Sequence, residues 1–128
     1  MSVMKLDTIN TLSRELIVRT DQAREVSNNF QLIISLLYNT VLMNLDAGDL
    51  KSANKILRVM RNTEIDETKL PERFMVRLAQ AITSYYGDPT EKNRRDTDQL
   101  IDVLRVLGCD DLFVAYKKQF EAFINETK

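Results

Sequence analysis

The 128-residue sequence contains no histidine and a single cysteine, Cys109. Without histidine there is no Ser-His or Cys-His pair to activate a nucleophile, and the multi-ligand zinc arrangements cannot be assembled from one cysteine. The lone cysteine also excludes an intramolecular disulfide and fits a reducing compartment, so the expected location is cytoplasmic. Glycine and proline are scarce, at three and two residues, which favours long helices over sheets with many turns. Charge of one sign is not in excess either. The 18 basic and 19 acidic residues are interspersed and leave a net charge of −1, so no basic field exists to hold a polyanion and the chain by itself is not expected to bind nucleic acid. The start, Met1-Ser2-Val3-Met4-Lys5-Leu6-Asp7, lacks the order of a signal peptide, and the longest apolar-rich stretch, Phe30 to Leu45, is broken by Gln31, Ser35, Asn39 and Asn44. Neither export nor membrane insertion is expected.

What the sequence does have is helical periodicity in nearly every segment, within a length that suits a single domain spanning 1–128. Six helices are predicted. The first runs from about Leu6 to Arg19, with Leu6, Ile9, Leu12, Leu16 and Ile17 as its core stripe. After a polar break, Asn28-Asn29 offers an N-cap for a second helix from Phe30 to about Ala47, which Gly48 stops. A third spans Leu50 to Asn62 with Leu50, Ala53, Ile56, Leu57 and Met60 on one face. Pro71 opens a fourth that ends at Tyr86-Gly87, with Phe74, Leu78, Ala81, Ile82 and Tyr85 as its core stripe. Asp88-Pro89-Thr90-Glu91 reads as an aspartate cap, a proline at the first helical position and a capping-box glutamate, launching a fifth helix to Leu107. Gly108 closes that helix, and Asp110 is placed to cap a sixth running to about Asn125.

Two segments echo each other. Ile56-Leu57-Arg58-Val59-Met60 matches Val103-Leu104-Arg105-Val106-Leu107, and each of the two helices follows a Gly-Asp turn, Gly48-Asp49 or Gly87-Asp88. The turns stand somewhat further apart than the roughly 34 residues of a tetratricopeptide unit. The fold class expected is therefore all-α, a short tetratricopeptide-like stack of about six helices with a groove on its inner surface.

Residues able to carry chemistry are few. Acids cluster at Glu64, Asp66 and Glu67 and at Asp110 and Asp111, positions that solvated loops and helix N-termini explain without a bound cation. No phosphate-cradling glycine motif occurs. No enzyme activity, metal or cofactor is expected, and the function is sought in binding. The second helix is apolar around almost its whole circumference and should be buried on most sides, yet Gln31, Ser35 and Asn39 form a stripe at four-residue spacing. Those side chains either satisfy neighbouring backbone or line a groove, where an amide pairs with an extended peptide and Leu, Ile and Met form apolar pockets. Arg73, Arg77 and Gln80 on the polar face of the fourth helix either flank the same groove or are simply solvated. The aromatic stripe Phe113, Tyr116, Phe120 and Phe123 either caps the stack or forms a homodimer contact.

The run from Asn28-Asn29 through the apolar second helix, the turns at Gly48-Asp49 and Tyr85-Tyr86-Gly87-Asp88, and above all Val103-Leu104-Arg105-Val106-Leu107-Gly108-Cys109-Asp110-Asp111-Leu112 resemble the C-terminal regulatory domain of Rgg/GadR/MutR-type transcriptional regulators of Gram-positive bacteria. The resemblance covers about Thr11 to Phe123. It implies a tetratricopeptide-like domain that homodimerises, receives a short hydrophobic signalling peptide and controls an N-terminal helix-turn-helix domain. That DNA-binding part is not in this sequence, so the chain is expected to be a fragment or a stand-alone relative. Asn39 is the position matched to a peptide-contacting amide of the family. The alternative reading is a protein-interaction scaffold with no small ligand.

Overall fold

Capping chemistry sets the helix boundaries in the computed structural model, which describes residues 9–14 and 27–126. Residues 9–14 are helical and are called α1; α2 (Ser27–Asp46), α3 (Leu50–Asn62), α4 (Leu70–Gly87), α5 (Glu91–Val106) and α6 (Asp110–Glu126) follow. No strand occurs among the described residues. The chain is all-α, as the periodicity requires of a small helical stack. Of the first predicted helix only 9–14 is described; Leu6, Leu16, Ile17 and most of the polar break before α2 lie outside the described residues.

Two of the three glycines end helices by the same device. At Gly48, with φ of 75°, the amide of Gly48 donates to Leu45 O (3.0 Å) and that of Asp49 to Asn44 O (2.8 Å); at Gly108, with φ of 80°, Gly108 donates to Arg105 O (3.1 Å) and Cys109 to Leu104 O (2.8 Å). Both are Schellman motifs, in which a left-handed residue lets two amides reach back to otherwise orphaned carbonyls. The residue after each glycine then starts the next helix. Asp49 caps α3, its Oδ1 accepting from the Ser52 amide (3.0 Å) and its Oδ2 from Ser52 Oγ (2.7 Å), bonds that hold its carboxyl below the usual carboxylate range. Cys109 occupies the corresponding place before α6, with its carbonyl accepting from the Phe113 amide (2.9 Å). Asp110 is thus inside the first turn of α6 rather than capping it, where an acid still favours the helix N-terminus.

Other boundaries differ from the sequence reading. α2 already includes Ser27, so Asn28-Asn29 lies in its first turn. The cap of α5 is Thr90, not Asp88: Thr90 is extended and its Oγ1 accepts from the Asn93 amide (3.1 Å), while Asn93 Nδ2 donates back to Asp88 O (2.8 Å). Pro89 consequently precedes the cap. Gly87 remains helical and has no positive φ, so the turn equivalent to Gly48 is Gly108. The matching hairpins are α2–α3 and α5–α6, whose helices pack against each other.

The chain divides into two compact units, Met1–Ala79 and Gln80–Lys128. In the first, Ile34, Leu37, Tyr38, Val41 and Leu45 of α2 join Ala53, Ile56, Leu57 and Met60 of α3 and Met75, Val76, Leu78 and Ala79 of α4 as buried apolar residues. In the second, Ile82, Ile101, Leu104, Phe120, Phe123 and Ile124 are buried. On α4, Leu78 and Ile82 are core residues as expected, but Phe74, Ala81 and Tyr85 are only half-buried, their places taken by Met75, Val76 and Ala79.

A Cβ built on Gly108 meets nothing within 4 Å, so Gly108→Ala isolates the cost of a left-handed backbone. The expected loss is about 1–2 kcal/mol in urea unfolding with an unchanged circular dichroism spectrum; a neutral substitution would show that this turn does not depend on its positive φ.

Candidate functional site

Helix α2 presents two chemically distinct faces. At roughly 100° per residue, Gln31, Ser35, Asn39, Leu32, Met43 and Leu36 fall within one sector of about 140°. Gln31 and Asn39 are exposed, Ser35 is half-buried, and Leu32 (68% exposed), Leu36 and Met43 lie open beside them. None of the three polar side chains has a hydrogen-bond partner among the described residues. α2 is covered over the larger part of its circumference, as expected; the amide stripe lies in the open sector, and the apolar side chains next to it are open as well. The covered residues occupy the rest of the circumference.

On that covered side lies a polar seam that the apolar periodicity hid. Asn44 is fully buried, with Asn10 on α1 at 5% exposure. Their amides pair reciprocally: Asn44 Nδ2 donates to Asn10 Oδ1 (2.8 Å), and Asn10 Nδ2 donates to Asn44 Oδ1 (3.2 Å). One turn away, the hydroxyls of Ser13 and Thr40, both fully buried, meet at 3.2 Å. Three of these side chains also bond their own helix: Ser13 Oγ to Ile9 O (2.8 Å), Thr40 Oγ1 to Leu36 O (2.8 Å) and Asn44 Nδ2 to Thr40 O (2.9 Å). No buried side-chain nitrogen or oxygen among the described residues lacks a partner. The signal in the sequence was the pairing of spacings, Asn10 with Ser13 and Thr40 with Asn44, on faces that are otherwise apolar. The expected core stripe of the first helix fits poorly here, since Leu12 is exposed and Ile9 half-buried.

The remaining candidates separate as follows. Arg73 is exposed, but its Nη1 donates to Ile65 O (2.7 Å), tying the preceding loop to α4. Arg77 is exposed, and Gln80 is half-buried and belongs to the second unit. Phe113, Tyr116, Phe120 and Phe123 share one face of α6, as their spacing required. Phe120 (1% exposed) stands edge-on to Tyr85 at 5.6 Å between ring centroids and 76°, and Phe123 meets Tyr86 at 6.1 Å, so the C-terminal half of the stripe serves the core of its own unit. Phe113 and Tyr116 stay half-buried, with Lys117 Nζ 5.8 Å from the Phe113 ring centroid; burial raises the Tyr116 hydroxyl above its usual range. Of the acids, Asp66 accepts from the Thr68 amide (2.8 Å) and hydroxyl (2.7 Å), which closes its loop and lowers its pKa. Among the described residues no group of three or more acids or cysteine could hold a metal ion, and no helix is long and apolar enough to cross a membrane.

Comparison with known protein families matches residues 1–118 to the model described as the HTH-type transcriptional regulator Rgg, C-terminal domain. No solved structure matches the chain.

The two asparagines of α2 should respond differently to truncation. Asn44→Ala strands the buried Asn10 amide and is expected to lower the unfolding free energy by about 1–3 kcal/mol, whereas Asn39→Ala on the open face should stay within about 0.5 kcal/mol of the parent. Equal losses in chemical denaturation would contradict this division.

Proposed function

The chain belongs to the family of Rgg C-terminal domains, and from that membership we propose that it is the peptide-sensing and dimerising regulatory domain of an HTH-type transcriptional regulator. The open face of α2 carries this reading. A short hydrophobic peptide laid along it meets Leu32, Leu36 and Met43, which lose water on contact, and the amides of Gln31 and Asn39, each offering donor and acceptor to the peptide main chain. Ser35 supplies a hydroxyl between them. On the polar face of α4, Arg77 is the guanidinium available for a peptide carboxylate or carbonyl, while Arg73 has first to leave Ile65 O. Transcriptional control then operates through a helix-turn-helix part outside this chain, consistent with a surface of nearly balanced charge.

Dimerisation is proposed through the first half of α6 and the α5–α6 turn. Phe120 and Phe123 are engaged within their own unit, but Val106 (74% exposed), Leu107, Leu112 and Val114 are open beside the half-buried Phe113 and Tyr116. Apolar side chains concentrated in this way characterise contact surfaces.

Calorimetry against a panel of short hydrophobic peptides tests the sensing role. Asn39→Ala is expected to weaken binding by about 1–3 kcal/mol, the cost of leaving a peptide group unpaired in a partly dry site. No binding by the parent protein across the panel would favour the scaffold reading instead. For the dimer, sedimentation should show self-association that Leu107→Lys disrupts; a parent protein that stays monomeric at high micromolar concentration would contradict it.

A further inference from the structure

Two helices that meet through apolar side chains expose that surface to water when they part, and this penalises separation. The described part of α1 meets α2 differently: its two buried side chains, Asn10 and Ser13, are both polar and face Thr40 and Asn44. The hydrogen bonds divide into two classes. Those that cross between the helices are the Asn10–Asn44 amide pair and, where one of the two hydroxyls turns its single hydrogen from its own helix carbonyl to the other, the Ser13–Thr40 contact. Those that stay within a helix run from Ser13, Thr40 and Asn44 to the carbonyls of Ile9, Leu36 and Thr40. The second class survives separation, because each such bond needs only its own helical turn. After separation the first class is replaced by bonds to water, with little net change per bond. Thr40 and Asn44 would then present polar atoms, not a new apolar stripe, to solvent.

From this we infer that α1 is a releasable latch on α2, held in register by the Asn10–Asn44 and Ser13–Thr40 pairs and able to undock while α2 and α3 stay folded. The reciprocal amide pair accepts one register only, since a shift by one residue removes both partners, so the latch has a defined closed state. Its placement gives the release a use. This part of the inference rests on the reading of the chain as a regulatory domain: in a regulator whose regulatory domain is C-terminal, the DNA-binding part precedes α1, and undocking changes how that part is tethered.

Hydrogen–deuterium exchange of the intact chain, without any peptide, tests the latch. In the parent protein the segment 9–14 is expected to exchange at least on the order of tenfold faster than the buried amides of α3, through a sub-global opening. Asn44→Ala should accelerate exchange of 9–14 further and keep it the faster of the two, with α3 gaining only the acceleration that the lowered global stability gives it. The double variant Asn10→Leu/Asn44→Leu, which replaces the amide pair by apolar side chains, should slow it to the α3 rate. Ser13→Ala/Thr40→Val provides the same comparison at the second pair should the leucine variant not fold. Segment 9–14 exchanging together with α3 in the parent, or an apolar seam that leaves its exchange unchanged, would overturn the proposal. Absence of peptide binding elsewhere on α2 would leave these results as they are, so the two readings fail separately.

Discussion

A buried asparagine side chain carries two N–H donors and a carbonyl oxygen that all need partners, and α2 places one, Asn44, where water cannot reach it. Much else in the first unit follows from how that requirement is met. Asn44 Nδ2 uses one hydrogen on Thr40 O within its own helix and the other on Asn10 Oδ1, and Asn10 returns the bond. α1 is held in register against one part of the covered arc of α2, and the Gly48–Asp49 turn brings α3 back against α2. The remaining sector is left to face outwards.

That partition explains why a helix so rich in Leu, Ile, Val and Met shows open leucines. An apolar face exposed to water is unfavourable by roughly 25 cal/mol per Å² relative to burial, and under the proposed sensing role a bound peptide would relieve that cost. In that proposed role, Leu32, Leu36 and Met43 would supply the non-directional part of a peptide contact and Gln31 and Asn39 the directional part. The amides of one helix thus have opposite placements: Asn44 is buried and paired across the seam, and Asn39 is exposed on the open face.

Much of this was legible in the sequence, and the misses have specific physical causes. Helix count and class followed from periodicity, and α3 was placed residue for residue because Asp49 and Gly48 mark its start without competition. At Asp88-Pro89-Thr90 three successive residues could each begin a helix, and the choice of Thr90 depended on Asn93 reaching back to Asp88 O, a tertiary detail that propensity does not contain. The repeat was set on Gly87 because of its Gly-Asp dipeptide, whereas the backbone angle that defines the turn belongs to Gly48 and Gly108. The amide stripe Gln31, Ser35, Asn39 was visible by spacing. The seam was not, because Asn10 and Asn44 are far apart in the chain and each alone looks like an imperfection in an apolar stripe. The aromatic face of α6 was read correctly as a face, but the rings of Tyr85 and Tyr86, which occupy its C-terminal half, follow only from packing.

The interaction on which the partition of α2 depends is the Asn10–Asn44 pair, and a double-mutant cycle between Asn10→Ala and Asn44→Ala measures it without reference to any ligand. The side chains are in direct contact and share both bonds, so the single losses should be strongly non-additive, with a coupling energy of about 0.5–3 kcal/mol. Losses that add, with a coupling indistinguishable from zero, would mean that the amides do not hold α1 on α2 and would contradict the account.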